Sequence, residues 1–287
     1  MKTRHIIAAL AFIAALSCSK EISAPDSAEG ELVTLEVGIG TPDATRIHFT
    51  GETLLSTLTS WEADDCLWVR NDTQPYWERG ECFKTSASAI TDGGHSAAFT
   101  GRTRKDGRMA AVYPFGYVED GSDNDMVKLE VPRSHTLVVD DCPVSSIYAA
   151  AFRSVGAASF TMDYLVGAVK FSIKGKGEKV KRFELIDNNA STALWGSLHV
   201  EADYEHNGVA AVSMVNDDAT RSSVFLDTDL TLGATPVNFY FVLPEGALSG
   251  GFTLKAYGED GTVISSWSSD KDNSVVRGKV VRMPEIE

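Results

Sequence analysis

Apolar and polar residues alternate one by one in short runs along this chain. Val33, Leu35, Val37 and Ile39 alternate with Thr34, Glu36 and Gly38. Val127, Leu129 and Val131 do so with Lys128 and Glu130, and Val169, Phe171 and Ile173 with Lys170 and Ser172. Val237 to Leu243 and Phe252 to Ala256 repeat the pattern. A period of two puts successive side chains on opposite faces of a pleated strand, so each run reads as a strand with one face in a core. Cys66 to Val69 and Ala110 to Tyr113 read as shorter strands, and Ser274 to Met283 as the last one. Turn clusters separate them, among them Asp120 to Asn124, Gly175-Lys176-Gly177, Asp187-Asn188-Asn189 and Glu259-Asp260-Gly261. Asn207-Gly208 suits a type I′ turn, which predicts a hairpin over 198–215. No stretch predicts a long amphipathic helix. Val144 to Phe152 is the one segment read as a turn or two of helix. Many short strands at this spacing predict an all-β chain of the sandwich type.

The first residues read as an address. Lys2 and Arg4 precede an unbroken apolar run from Ile6 to Leu16, then Ser17 and Cys18. A basic start and an apolar stretch of this length predict a secretory signal peptide over 1–17. The run is too short to span a bilayer, which takes roughly 20 residues. Small residues before a Cys at that point resemble the lipobox of bacterial lipoproteins, with Ala15 where Leu is commoner. That resemblance implies that Cys18 becomes the mature N-terminus and carries lipid, including palmitate. Residues 18–30 then read as a flexible tether, being poor in large apolar groups. The remaining length suits two sandwiches, 31–155 and 156–287, divided where Arg153 to Ser159 is short of large apolar side chains.

Charge removes one class of partner. With 40 acidic and 26 basic residues the net charge is −14. A nucleic-acid partner is thereby excluded, because phosphate binding needs basic patches that displace counterions. The motif search predicts no enzyme, no cofactor and no metal. There is no H-E-x-x-H, no C-x-x-C and no G-x-S-x-G. Asp120 to Asp125 is acidic, but the sixth and twelfth positions of a calcium loop would be Asp125 and Val131. A solvated turn is the reading there. Cys66 and Cys82 flank a candidate hairpin loop and either bridge across it or stay, with Cys142, as buried thiols. Trp61, Trp68, Trp77, Trp195 and Trp267 either line a sugar-binding surface or pack in cores.

A series of segments resembles the fimbrillin family of the Bacteroidota: pilus subunits and related surface lipoproteins. They are ATRIHF at 44–49, Ser60 to Asp65 before the strand at Cys66, GHSAAFTG at 94–101, AAVYPF at 110–115 and Leu129 to Pro132. Tyr164 to Ile173, Leu194-Trp195-Gly196, Phe241 to Pro244 and Arg277 to Val280 continue the series. Their order carries the resemblance, from about residue 31 onward. It implies two tandem transthyretin-like β-sandwich domains, an outer-membrane lipoprotein precursor and a structural or adhesive role in fimbriae. In polymerising members a protease cuts after an Arg near the first strand. The matching position is Arg46, and the cut would release the strand 31–39. A strand from another fimbrial subunit, or from a second copy, would fill the vacated groove. A tip or anchor role fits the same resemblance. The alternative is an outer-membrane lipoprotein that does not polymerise and binds a host or bacterial glycan or protein.

Overall fold

The computed structural model describes residues 31–39, 53–54, 59–73, 80–142, 146–155, 159–190, 192–215 and 219–287. The signal peptide, Cys18, the tether, Arg46 and Trp77 lie outside the described residues. Up to residue 155 the strands are β1 (Glu31–Ile39), β2 (Thr53–Leu54), β3 (Cys66–Asn71), β4 (Glu81–Lys84), β5 (Ile90–Thr91), β6 (Ser96–Thr103), β7 (Met109–Tyr113), β8 (Met126–Val131), β9 (Ser134–Thr136) and β10 (Ala149–Arg153). Beyond it come β11 (Ser159–Tyr164), β12 (Val166–Ile173), β13 (Lys179–Asp187), β14 (Gly196–Asp203), β15 (Gly208–Met214), β16 (Ser223–Thr231), β17 (Val237–Pro244), β18 (Phe252–Tyr257), β19 (Val263–Ser269) and β20 (Lys279–Arg282). The protein is all-β.

The largest sheet runs β1-β11-β10-β7-β3-β4-β6-β5, and β1 also pairs with β6. Seven strands therefore close into a ring, with β5 appended to β6. Its interior is filled by alternate side chains of the ring strands. Val33, Leu35 and Val37 come from β1, Phe83 from β4, Phe99 from β6 and Met162 from β11. Gly101 of β6 is required there, because a Cβ would lie 2.4 Å from the Phe83 ring.

A small sheet, β15-β14-β8, packs on the outside of this ring. Val127, Leu129, Leu198 and Val200 from it meet Trp68, Val112, Ala150 and Phe152. Strand β10 is consequently buried on both faces along its length. This corrects the helical reading of 144–152 over Ala149 to Phe152; Ser146 lies in a helical turn, and 144–145 lie outside the described residues. The run AAAFR is a strand because Ala is small enough to lie between two layers. The hairpin at 198–215 is present as β14–β15, with a different turn. Asp203 pairs with Gly208, so the loop is Tyr204 to Asn207, with Asn207 at φ 54° and Gly208 already in the strand.

A second pair of sheets forms a sandwich: β17-β12-β20-β2 faces β19-β18-β13-β16-β9. Between them Phe183 stacks on Phe239 at 4.6 Å, and Phe171 meets Phe252 edge-on at 5.4 Å. Each of the four sheets draws strands from both sides of residue 155. β11 completes the ring, β2 pairs with β20, β8 pairs with β14, and β9 pairs with β16.

Candidate functional site

The strand 31–39 is a wall strand of the ring. β1 pairs antiparallel with β6 from Glu31 opposite Thr103 to Gly38 opposite Ser96. On its other side it runs parallel to β11, with Glu36 opposite Ser159 through to Ile39 opposite Met162. Its backbone is thus held on both edges over the second half and on one edge over the first. The alternation read from sequence fixes which face turns in. Val33, Leu35 and Val37 are buried, while Leu32 is 66% exposed. Burying an aliphatic side chain of this size contributes roughly 1.5–3 kcal/mol. Outside, Thr34 Oγ1 meets Thr100 Oγ1 at 3.1 Å and Lys105 pairs with Glu31 at 2.7 Å. Exposed contacts of that kind add little.

Where β1 ends, the ring holds a cavity of about 20 Å³. Ile39, Trp61, Tyr113, Ala149, Met162 and Tyr164 are among its walls. The Trp61 ring sits edge-on to Phe99 at 5.0 Å and to Tyr113 at 5.4 Å. Tyr164 and Thr59 share a hydrogen bond between their hydroxyls. Asp65 accepts hydrogen bonds from the Glu62 amide at 2.8 Å and the Tyr113 hydroxyl at 3.2 Å. Burial holds its carboxyl above the ordinary aspartate value, outweighing the lowering pull of those two bonds. Burial likewise pushes the Tyr164 hydroxyl up to about 12.

The other candidate residues fall as follows. Cys66 and Cys82 are joined as a disulfide between β3 and β4, with Cα atoms 5.7 Å apart. Cys142 is free and buried. Trp61 and Trp68 are buried in the core rather than on a surface. Trp195 and Trp267 pack partly buried against the sandwich core. Asp123 Oδ1 accepts from the Asp125 and Met126 amides, so 120–125 is a hydrogen-bonded turn. Among the described residues no group of three or more His, Cys, Asp or Glu could hold a metal ion.

The chemistry open to the β1 position is backbone pairing. It holds an extended strand between two neighbours and seats every second side chain in an apolar interior. Comparison with solved structures finds likenesses along most of the chain. A candidate cell adhesion protein from Bacteroides uniformis matches 89% of this chain and 91% of its own, at 11% identity and a TM-score of 0.46. A candidate adhesin from Bacteroides ovatus matches 90% and 93%, at 10% identity and a TM-score of 0.39. The tip fimbrial protein Mfa3 from Porphyromonas gingivalis, with a C-terminal truncation, matches 88% and 96%, at 9% identity and a TM-score of 0.29. The structural neighbours of this chain are thus Bacteroides cell adhesion and fimbrial proteins and a tip fimbrial protein. No family model and no curated protein sequence matches it.

Proposed function

We propose that the protein is a fimbrillin-like cell-surface lipoprotein, a non-catalytic structural or adhesive component of fimbriae that assembles by strand exchange. The observation that carries this reading is the placement of β1. It is one strand inserted in a closed ring and it supplies three buried side chains, and Arg46 follows it closely in the sequence. Removing it would open two sheet edges at once, β6 and β11, and empty the Val33, Leu35 and Val37 positions. An edge with unfilled apolar pockets is satisfied by an incoming extended chain. A replacement in the same register must run antiparallel to β6 and parallel to β11, so the direction of the incoming strand is set.

In this proposal Cys18 carries the lipid that holds the precursor at the outer membrane, residues 18–30 are the tether, and cleavage after Arg46 frees β1. The partners are other fimbrial subunits or a second copy, in a tip, anchor or repeating position. In this reading the two transthyretin-like units, 31–155 and 156–287, share strands across residue 155, and the first closes its largest sheet into a ring rather than an open sandwich. N-terminal sequencing of surface-extracted protein tests it. The expected starts are lipidated Cys18 in the precursor and Ile47 in the processed form. Recovery of Cys18 alone overturns processing at Arg46. Unheated gels of the same extract are expected to show SDS-resistant ladders, and a strict monomer overturns assembly.

A further inference from the structure

The outer face of the five-stranded sheet carries a second arrangement, remote in sequence from β1. In β13, β16 and β18 the alternate side chains Phe183, Leu185, Val224, Leu226, Leu254 and Ala256 fill the sandwich core. The intervening side chains therefore face outward, and the strand register sorts them into two rows. Arg182 stands opposite Asp227 on one neighbour and Tyr257 on the other; Glu184 stands opposite Phe225 and Lys255. Arg182, Glu184, Phe225, Asp227 and Tyr257 of these rows line a groove of about 410 Å³, to which Lys181 and the turn at Gly258 to Gly261 contribute. That volume lies in the range of small-molecule sites, roughly 300–1,000 Å³.

The polar groups in the groove are already engaged. Arg182 Nε donates to Asp227 Oδ1 at 2.6 Å, and Ser134 Oγ donates to Asp227 Oδ2 at 2.6 Å. The Tyr257 hydroxyl donates to Glu184, and Lys255 lies 3.8 Å from the same carboxylate. Lys181 pairs with Asp229 at 2.8 Å. The Arg182 and Arg133 guanidinium groups sit 4.8 and 4.6 Å from the centre of the Phe225 ring. These contacts orient the groove's side chains before any ligand arrives, which lowers the ordering cost of binding.

The balance of groups selects the ligand class. A wholly apolar molecule would strip water from these charged side chains and return nothing. An anion would face Glu184, Asp227 and Glu259. A cation would face Lys181 and Arg182. A polyhydroxylated ring without charge meets neither objection. Its hydroxyls donate to the carboxylates and accept from Arg182 and Lys181, and its C–H face lies against the Tyr257 ring. We propose that this groove binds a neutral carbohydrate. The site stands independently of strand exchange, since it lies on the sandwich and uses no residue of β1.

Isothermal titration of the full-length protein with cellotetraose, maltotetraose, mannotetraose and, as the acidic probe, tetragalacturonate tests it. At least one neutral tetrasaccharide is expected to bind, more tightly than the acidic one. Tyr257→Ala and Glu184→Gln should each weaken that binding at least tenfold. Thr253→Ala, on the same outer face but outside the groove, should leave it within twofold. Thermal unfolding of each variant separates loss of the site from loss of the fold, and Tyr257→Phe keeps the ring if Tyr257→Ala proves unstable. No binding by any neutral probe overturns the proposal. So does tighter binding of tetragalacturonate, or binding that survives both groove variants unchanged.

Discussion

Leu32 and Leu35 offer a test of the β1 placement in which residue chemistry is constant and only the face differs. Leu35 is 1% exposed inside the ring, and Leu32 is 66% exposed on its outside. Leu35→Ala removes buried methyl groups and leaves a hole that Phe99 and its neighbours close only in part. Such truncations cost about 3 kcal/mol, within a spread of about 2–5. Leu32→Ala loses little burial and is expected to stay within about 0.5 kcal/mol of the parent. Urea titration followed by fluorescence measures both, with the difference read from the midpoint at unchanged slope. In a thermal scan the Leu35 variant should melt roughly 6–12 °C lower, at about 2–4 °C per kcal/mol for chains of this size. Equal effects at the two positions would refute the inward orientation of Val33, Leu35 and Val37. A Leu35→Ala cost below about 1 kcal/mol would show that β1 does not close a packed interior.

Three further outcomes are expected. Reduction of Cys66–Cys82, or Cys66→Ser with Cys82→Ser, should lower stability by about 3 kcal/mol, the loop-closure value for a bridge spanning about 15 residues; urea unfolding with and without reductant measures it. Cys142 should resist alkylation at pH 8 in the folded protein and react once unfolded. Burial first, and then Asp141, pushes its thiol up to about 12, so thiolate is scarce, and mass spectrometry reads the label. Asp65 carries a raised pKa in the fold, so its protonated form favours folding. That contribution is complete below the unfolded value of about 4 and fades as pH rises through the higher folded value. Asp65→Asn should therefore gain stability relative to the parent as pH rises through that window, in paired urea titrations at several pH values.

Strands with one wet face were legible from alternation alone, and β1, β8, β12, β17 and β18 lie where the pattern predicts. β10 was not, because burial between the ring interior and the β8–β14–β15 sheet removes the polar half of the pattern. Its alanines favour helix in isolation, and packing overrides that preference. β6 hid for a related reason. Its inward positions are Ala97, Phe99 and Gly101, too small on average to read as a core face. Asn207-Gly208 marked the right hairpin, but the local preference for a two-residue turn yielded to the pairing of Asp203 with Gly208. The Cys66–Cys82 bridge stayed undecided in sequence because the register of β3 with β4 is not legible there; Cys82 falls opposite Trp68 and Cys66 opposite Lys84, so the two join diagonally rather than face to face. The outward groove was invisible for the same reason. Arg182, Glu184, Asp227 and Tyr257 look like the ordinary wet positions of three separate strands until they are aligned. The tryptophans, the visible candidates for a sugar surface, sit mainly in or against cores.

The trading of strands across residue 155 governs the order in which the molecule can be completed. A chain emerging from its N-terminus first presents β1 and β2. β1 lacks β11 until residue 159 and beyond has followed, and β2 waits for β20 at residues 279–282. β8 and β9 wait likewise for β14 and β16. No sheet can therefore be completed from residues before 155 alone, and such distant pairings fold slowly. The sheets then close in sequence, the ring with β11, the small sheet with β15, the five-stranded sheet with β19 and the β17-β12-β20-β2 sheet last of all with β20.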